Sequence, residues 1–255
     1  MIKQTMINNI DWKKLFDKYD VLEHINKSGK FIMSAPQIKE FGKNFLMSDI
    51  NYSMNLPKIF SDNGLSILPI TRDDYIISNF NAYHKLESQT DDIIHVSIPK
   101  HIQSLNINKI DNEMLALNCA LAAGIISNFV EDENIKQTFS GFIKSDEFNF
   151  KINDLKNNSF IDIKVEKLQW EMGAAYEGIK NLTLFEVSLE LPEDFLIAHL
   201  YYPYRIWLNK ITKNIKTVFM IYSNGIYHLY EYKFKDVNYY NSIELVKQQN
   251  YSIED

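Results

Sequence analysis

Leu182-Thr-Leu-Phe-Glu-Val-Ser-Leu-Glu190 is a run of apolar residues with a carboxylate, Glu186, at its centre. Successive side chains of a strand point to opposite faces of a sheet, so a strand here places Glu186 on the same face as Leu184 and Ser188. A carboxylate on so apolar a strand costs free energy unless it is paired, protonated or bound to a metal ion. The stretch predicts either a buried strand with a functional glutamate or a strand end at which Glu186 emerges into solvent.

The segments on either side of this strand extend the pattern. Upstream, Leu168-Gln-Trp-Glu-Met-Gly-Ala-Ala-Tyr-Glu-Gly178 predicts a strand that runs into a Gly/Ala turn. Downstream, Pro192-Glu-Asp194 predicts the start of a helix that continues through Leu200 to Arg205. The predicted order is therefore strand, turn, carboxylate strand and helix.

This order resembles the core of the PD-(D/E)XK nucleases, and within them a group of type II restriction endonuclease-like proteins. The pattern of that group begins with Gln-x-Glu-x-Asp-Ala-Gly-Tyr-Glu. After a short gap it continues with an apolar residue followed by Glu-x-Lys. The helix that comes next reads Glu-Asp-Phe-Leu-Ile and then Leu-Tyr-Tyr-Pro-Tyr-Arg. The matching residues here are Gln169, Glu171, Ala174, Tyr176, Glu177, Gly178, Phe185, Glu186 and the run 193–205. The resemblance covers residues 55–245 and is strongest over 139–234.

Two positions depart from the pattern of that group. Gly173 stands where the resemblance expects Asp, and Ser188 stands where it expects Lys. Those two residues belong to the signature of the superfamily, so the resemblance supports the fold more directly than it supports the chemistry.

The fold that the resemblance implies is α/β, with a restriction-endonuclease-like mixed sheet flanked by helices and a smaller N-terminal helical/β module. We expect the module in residues 1–90 and the nuclease-like core in 91–255, with the boundary in the polar stretch 85–92. The module is either winged-helix-like, with the helix that begins near Pro36 reading DNA bases, or a helical cap on the core.

Local patterns predict further elements in both parts. Asp11 is the expected N-cap of a helix over 12–19, and residues 56–60 are expected to form a strand. A long helix is expected from an N-cap at Asp111 through Phe129, because its apolar residues recur at helical spacing. Ser223-Asn-Gly225 predicts a tight hairpin turn between two strands.

The resemblance implies Mg²⁺-dependent hydrolysis of DNA, for which Mn²⁺ can substitute. Carboxylates on neighbouring strands supply the hard oxygen ligands that Mg²⁺ requires. Glu186 is the first candidate ligand, with Glu171 or Glu177 as its partner at the two ends of the predicted turn. Glu113 lies in the first turn of the long helix, where it either interacts with the helix dipole or faces the metal. Ser188 can hold a water molecule but supplies no charge, and Lys180 or Lys167 is a possible replacement for the expected lysine.

The expected partner is double-stranded DNA, although the formal net charge of the chain is −6. Phosphate contacts depend on Lys and Arg, so a DNA-binding surface here needs clustered positive charge. The candidate DNA-binding residues are Arg72, His199, Arg205, Lys210 and Lys213. Of these, His199 and Arg205 are expected to point from the helix after the carboxylate strand into the DNA cleft.

Two functions remain open at this point. The chain is either a site-specific endonuclease with a rearranged active site or a nuclease-fold protein that has lost its chemistry and binds DNA or protein. By analogy we expect a homodimer and a cognate DNA methyltransferase encoded nearby. A single cysteine, Cys119, and the absence of an apolar run of membrane-spanning length indicate a cytoplasmic protein without a membrane anchor. Fifteen Tyr and sixteen Phe, with abundant Asn, Ile and Lys, indicate a bacterial or phage-like low-GC source.

Overall fold

The N-terminal part of the chain combines short helices with a three-stranded antiparallel sheet. We describe residues 10–42, 45 and 47–254 in a computed structural model. The first elements are α1 (Trp12–Lys18), α2 (Val21–Ser28), β1 (Lys30–Ser34), α3 (Ala35–Lys39), α4 (Lys58–Asp62), β2 (Ser66–Pro69) and β3 (Asp74–Ser78). The strand order is β1-β3-β2, and the sheet and helices enclose one apolar core that contains Trp12, Phe16 and Phe60.

Two local predictions in this part are confirmed and one is wrong. The side chain of Asp11 accepts a hydrogen bond from the backbone of Lys14 at 3.1 Å, as an N-cap does. Pro36 lies in the first turn of α3. The predicted strand over 56–60 is instead the start of α4, because Pro57 precedes a short helix whose single buried residue is Phe60.

The remainder of the chain is built around a larger sheet. Its elements are β4 (Tyr83–Lys85), β5 (Ile93–Ser97), α5 (Glu113–Ala122), α6 (Ile125–Val130), β6 (Lys136–Lys144), β7 (Phe148–Asp154), β8 (Ser159–Val165), β9 (Gln169–Glu177), β10 (Asn181–Ser188), β11 (Asp194–Leu196), α7 (Ala198–Trp207), β12 (Asn214–Ser223), β13 (Ile226–Phe234) and β14 (Ile243–Glu254). Short 3₁₀ turns occur at Met47–Ile50, Ser53–Asn55, Ile107–Lys109 and Tyr240–Ser242.

Seven of these strands form one mixed sheet in the order β5-β14-β13-β12-β10-β9-β6. The pairs β10–β12 and β14–β5 are parallel, and the other pairs are antiparallel. α5 and α6 pack on one face, against Phe185 and Met220, whereas α7 packs on the other face, against Phe219 and Ile221. The predicted mixed α/β fold is therefore confirmed at this level.

Strand β9 corrects the prediction of a Gly/Ala turn. The strand continues through Gly173, Ala174 and Ala175, and the turn follows at residues 178–180. The small side chains of these residues allow the backbone of β9 to pack closely against β10, and the chain does not reverse its direction here. As a result, Glu171 and Glu177 lie on one strand and not at the two ends of a turn.

The helix after the carboxylate strand begins later than predicted. Residues Asp194–Leu196 form β11, which pairs with β4, and α7 starts only at Ala198. The side chain of Asp194 accepts hydrogen bonds from the backbone and hydroxyl of Ser53, so it anchors another segment and does not cap a helix.

The long helix predicted from Asp111 is two helices. Gly124 has a φ of +76°, a left-handed conformation that ends the path of α5 and precedes α6. The N-cap is Asn112, whose side chain accepts from the backbone of Leu115 at 2.8 Å, rather than Asp111. The hairpin prediction is confirmed, because Asn224 and Gly225 both have positive φ between β12 and β13.

Residues 47–56, called the linking segment below, fasten the N-terminal part to the large sheet. The carbonyl of Asn51 accepts from the backbone of Leu196 at 2.8 Å, and the carbonyl of Ile50 accepts from the hydroxyl of Tyr83 at 2.9 Å. With the contact between Ser53 and Asp194, these bonds run from the segment to β4, β11 and the start of α7. Within the described ranges, none of the helices is long and apolar enough to cross a membrane.

Asp132 holds the turn between β9 and β10. Its carboxylate accepts from the backbone of Ile179, Lys180 and Asn181 at 2.9–3.3 Å and from the side chain of Asn181 at 3.1 Å. A Cβ on Gly178 would lie 2.5 Å from Cγ of Asp132, so only glycine fits beside the carboxylate. Burial alone would raise the pKa of Asp132, but the donated hydrogen bonds more than offset it and lower the pKa.

We predict that Asp132→Ala lowers the free energy of unfolding by about 3 kcal/mol, because it leaves backbone N–H groups without partners. Since the folded pKa is depressed, the contribution is present above the unfolded pKa of about 3.9 and is lost as the pH falls below it. Urea denaturation of the wild type, Asp132→Ala and the exposed-site control Asp146→Ala measures the effect. Equal stability of the two variants would contradict this role.

Candidate active site

Glu186 lies where two strands of the large sheet separate. β10 pairs with β9 only over Leu182–Phe185, opposite Glu177–Ala174, whereas β6 pairs along the other edge of β9 from Glu177 to Gln169. Glu186 is the first residue of β10 beyond that pairing, and it remains paired with β12 through Phe219. Its side chain is 18% exposed, so the carboxylate is largely buried.

Glu113 and Glu171 lie close enough to Glu186 to act on it electrostatically. Burial, together with the charges of Glu113 and Glu171, raises the pKa of Glu186 to about 8. Glu113 is the first residue of α5, and Glu171 is on β9. We call these three residues the carboxylate cluster. The structure thus brings together three of the predicted acidic residues, and at neutral pH it keeps a proton on Glu186.

Glu177 is not part of the carboxylate cluster. It lies at the other end of β9, opposite Leu182, and its Oε1 accepts from Nζ of Lys213 at 2.6 Å. Lys213 also donates to the carbonyl of Gly178 at 2.9 Å. The prediction of Glu177 as a partner of Glu186 is therefore wrong, because the chain continues as a strand where a turn was expected.

His199 on α7 lies beside Glu186, a contact that was not predicted from the sequence. Its Nδ1 is 3.3 Å from Oε1 of Glu186, and its Nε2 is 2.9 Å from Oδ1 of Asn51. Burial lowers the pKa of His199 to about 4, so the imidazole is neutral. Although 3.3 Å is an ion-pair distance, the raised pKa of Glu186 and the lowered pKa of His199 make this a contact between two neutral groups.

The contact with Asn51 determines which nitrogen of His199 carries the hydrogen. Because Oδ1 of Asn51 only accepts, Nε2 donates and Nδ1 keeps its lone pair, an assignment made from the contact. Nδ1 is buried and has no hydrogen-bond partner in the described part of the chain, since its contact with Glu186 lacks hydrogen-bond geometry. An acceptor without a partner is therefore directed at the carboxylate cluster.

Ser188, at the position where the resemblance expects lysine, is buried and fully engaged. Its Oγ donates to the carbonyl of Glu190 at 2.7 Å and accepts from the backbone of Glu190 at 3.0 Å. The hydroxyl of Tyr52, from the linking segment, lies 2.7 Å from the same Oγ. No sequence pattern singles out Tyr52, because its contact joins segments 136 residues apart.

Gly173, at the position where the resemblance expects Asp, has no room for a side chain. A Cβ there would lie 2.7 Å from the carbonyl oxygen of Phe185 and 3.7 Å from Cα of Glu186. The backbones of β9 and β10 therefore approach each other at the point where a second signature carboxylate would stand.

A cleft of about 220 Å³ leads from the N-terminal part towards this region. Its lining residues on the N-terminal side include Phe45, Met47, Arg72 and Tyr75, and those on the sheet side include Phe142, Trp170, Glu171 and His199. A neighbouring groove shares Phe45, Arg72 and Tyr75 and extends along α3 to Pro36 and Lys39. The two depressions form one path from α3 to the carboxylate cluster.

The predicted DNA-binding residues fall in different places. Arg72 is exposed and lines the cleft, as His199 does. Arg205 does not point into the cleft, which corrects the prediction. Its Nη1 donates to the carbonyls of Val237 and Asn149, and its guanidinium lies 4.9 Å from the ring centroid of Phe148. These contacts hold Arg205 against the surrounding backbone.

The remaining lysines lie away from Glu186. Lys210 is exposed beside the carbonyl of Lys144, and Lys213 is paired with Glu177. The backbone of Lys180 donates to Asp132, and Lys167 has positive φ in the turn before β9. The charges that shift the pKa of Glu186 belong to the carboxylates of Glu113 and Glu171, and no lysine contributes to the shift.

The donor chemistry of the carboxylate cluster fits Mg²⁺. That ion takes one or two protein carboxylates and keeps several waters, and the cluster offers oxygen donors on β9, β10 and α5. Nδ1 of His199, which lacks a partner, lies beside the same oxygens. Among the residues placed in the structure, no three His, Cys, Asp or Glu side chains are close enough to hold a metal ion, so binding requires the carboxylates to converge.

Two family models match the sequence. Residues 78–252, more than half of the chain, match a domain of unknown function, DUF6997, and residues 9–77 match a second domain of unknown function, DUF6996. The chain therefore belongs to the DUF6997 family. No curated protein and no solved structure matches it. Asn51 and Tyr52 come from the first matched region and the carboxylate cluster from the second, so both regions contribute to one site.

We predict that Gly173→Ala and Gly173→Asp both destabilise the fold by about 1–3 kcal/mol, because a Cβ at this position meets the carbonyl of Phe185. Thermal denaturation of the two variants measures the loss. Similar losses of stability in the two variants would show that the added Cβ, and not the carboxylate, destabilises the fold. A Gly173→Asp variant with wild-type stability would contradict the steric account.

The pKa of Glu186 predicts a pH-dependent stability. An acid whose folded pKa of about 8 exceeds its unfolded value of about 4.3 stabilises the fold below the unfolded pKa, and this contribution is lost as the pH rises through the folded pKa. From about pH 6.5 to about pH 8 we expect the wild type to lose on the order of 2 kcal/mol relative to Glu186→Gln. His199 is neutral in the folded state throughout this window.

Urea denaturation across that window tests the expectation, with the exposed-site variant Glu193→Gln as control. The control should follow the wild type. Parallel pH profiles for the wild type and Glu186→Gln would show that Glu186 ionises normally in the folded protein.

Proposed function

We propose that this member of the DUF6997 family is a divalent-metal-dependent endodeoxyribonuclease with a restriction-endonuclease-like fold, acting on double-stranded DNA at a specific sequence. The observation that carries the proposal is the placement of Glu186 within electrostatic reach of Glu171 and Glu113, beside a cleft, although the three carboxylates would have to move closer to hold a cation. A buried acid that burial and two nearby carboxylates keep protonated marks a site with excess negative potential, which a divalent cation relieves.

The arrangement of the sheet supports the fold part of the proposal. The strand that precedes the carboxylate strand, the carboxylate strand itself and the helix that follows are β9, β10 and α7, in the order on which the resemblance rests. The chain then returns to β12, which lies parallel to β10 on the side opposite β9. α5 places Glu113 near the same position, which is where the resemblance expects an acidic residue of the first core helix.

Hydrolysis of DNA requires that a water oxygen forms a bond to phosphorus while the bond from phosphorus to one ester oxygen breaks. Bound Mg²⁺ would polarise the phosphate and lower the pKa of the attacking water. Glu186 must lose its proton to act as a ligand, and the charge of a bound cation would favour that loss. Burial lowers the pKa of His199 to about 4, so the imidazole is too weak a base to take this proton, but its Nδ1, 3.3 Å from Oε1 of Glu186, can accept a hydrogen bond. Asn51 holds the tautomer of His199 that keeps Nδ1 free for this purpose.

The path from α3 to the carboxylate cluster is the proposed DNA contact. Arg72 lines both depressions, and Lys39 lies in the outer groove beside Pro36. α3 is the helix that the sequence predicted as a base reader, and it adjoins this groove. The net charge of −6 gives no general attraction to DNA, so we expect affinity to depend on these few cations and to fall steeply with salt.

A second function is favoured by the two signature positions. Gly173 excludes a carboxylate by close contact with Phe185, and Ser188 is tied to Glu190. These features also suit a nuclease-fold protein that binds DNA without cutting it. The expected homodimer and cognate DNA methyltransferase apply equally to either function and stay predictions.

Cleavage of mixed plasmid and genomic DNA by purified protein with Mg²⁺ or Mn²⁺ tests the proposal. We expect discrete fragments, and we expect Glu186→Ala and Glu186→Gln to reduce the rate by about 100-fold or more, because each removes the central carboxylate. Glu193→Gln, an exposed carboxylate outside the cluster, should cut as the wild type does.

The same preparation separates the two functions. DNA binding without fragments under either metal would overturn the nuclease proposal and favour the binding function. Cleavage that survives Glu186→Gln would place the chemistry elsewhere on the chain. Absence of both binding and cleavage would overturn both functions.

A further inference from the structure

We propose that the hydroxyl of Tyr52, supplied by the N-terminal part of the chain, takes the place of the lysine expected at position 188 and orients the attacking water beside Glu186. The inference rests on the proposed function. It assigns a role to Tyr52, which lies outside the part of the sequence that carries the nuclease-like active-site pattern.

The position of Tyr52 carries the inference. Ser188 is two residues beyond Glu186 on β10, so their side chains leave the same face of the strand. The hydroxyl of Tyr52 lies 2.7 Å from Oγ of Ser188. It therefore occupies the space that a longer side chain at position 188 would enter. Glu190, Glu186 and Glu113, when ionised, all raise the pKa of the Tyr52 hydroxyl, so it lies within the electrostatic reach of the carboxylate cluster.

The hydrogen bonds at Ser188 define what the Tyr52 hydroxyl can do. Ser188 has a single hydroxyl hydrogen, and that hydrogen is donated to the carbonyl of Glu190. Tyr52 must then donate to Ser188, which leaves the lone pairs of its own oxygen free to accept from a water molecule. Burial raises the pKa of Tyr52, so the hydroxyl remains protonated and keeps this arrangement.

The neighbours of Tyr52 hold it firmly in place. On one side, Asn51 binds His199 through its side chain and Leu196 through its carbonyl. On the other side, Ser53 binds Asp194 through its backbone and hydroxyl. The linking segment is thus fixed to α7, which carries His199, and to β11, and the hydroxyl is preorganised.

A neutral hydroxyl can orient water but cannot supply the positive charge of a lysine. We therefore expect Tyr52→Phe to lower kcat by about 10- to 100-fold while leaving KM and the Kd for DNA within about twofold, because the lost group acts on water and not on DNA. Tyr83→Phe is the matched control. It removes a hydroxyl that holds the same segment through Ile50, but none at the cluster.

Two further measurements distinguish this role from support of the fold. Tyr52→Ala combined with Ser188→Lys should recover cleavage relative to Tyr52→Ala alone, because removal of the ring opens space for a lysine at the expected position. Independently of activity, 3-fluorotyrosine placed at position 52 should show a shifted ¹⁹F resonance when duplex DNA and non-cleaving Ca²⁺ are added. The same label at position 83 should not shift.

The outcomes separate this inference from the proposed function. If the wild type cuts DNA and Tyr52→Phe cuts equally well, or Tyr83→Phe loses as much activity as Tyr52→Phe, the inference fails and the nuclease proposal stands. A silent ¹⁹F label at position 52 in a protein that binds DNA also overturns it. If the wild type binds DNA without cutting it, the nuclease proposal itself fails, and the inference fails with it.

Discussion

The constraint on which this structure depends is a carboxylate placed on an interior strand of a sheet. Glu186 remains paired with β12, whereas the pairing of β10 with β9 ends one residue earlier, at Phe185. Gly173 allows β9 and β10 to approach closely just before they separate. Burial and two neighbouring carboxylates keep a proton on Glu186, and the neutral His199 lies beside it with Nδ1 3.3 Å from Oε1 of Glu186.

Much of this arrangement was visible in the sequence because it is local. The apolar run around Glu186, the Asn224-Gly225 turn and the cap at Asp11 depend on residues close together in the chain, and the structure contains all three. The alternation of side chains along β10 places Ser188 on the face of Glu186. Glu113 and His199 were also expected near the site, through the resemblance.

The predictions that failed depended on longer-range packing. A Gly-Ala-Ala run is typical of a turn when taken alone, but in β9 its small side chains allow close contact with a neighbouring strand. The helix predicted through Phe129 ends early because of one glycine conformation. Arg205 was expected in the cleft, yet the carbonyls that hold it come from Asn149 and Val237, far away in sequence. The contact of Tyr52 with Ser188 is of the same kind.

The linking segment also has a thermodynamic consequence. Asn51 and Tyr52 reach His199 and Ser188 only while the N-terminal part is seated on the large sheet. A ligand that binds more tightly when the N-terminal part is seated on the large sheet than when it is displaced therefore stabilises the site. By reciprocity, a ligand bound at the site stabilises the seated arrangement, and the coupling free energy is the same in both directions. Seating of the N-terminal part and occupancy of the site at Glu186 are thus linked through one conformational equilibrium, which couples the two matched regions energetically.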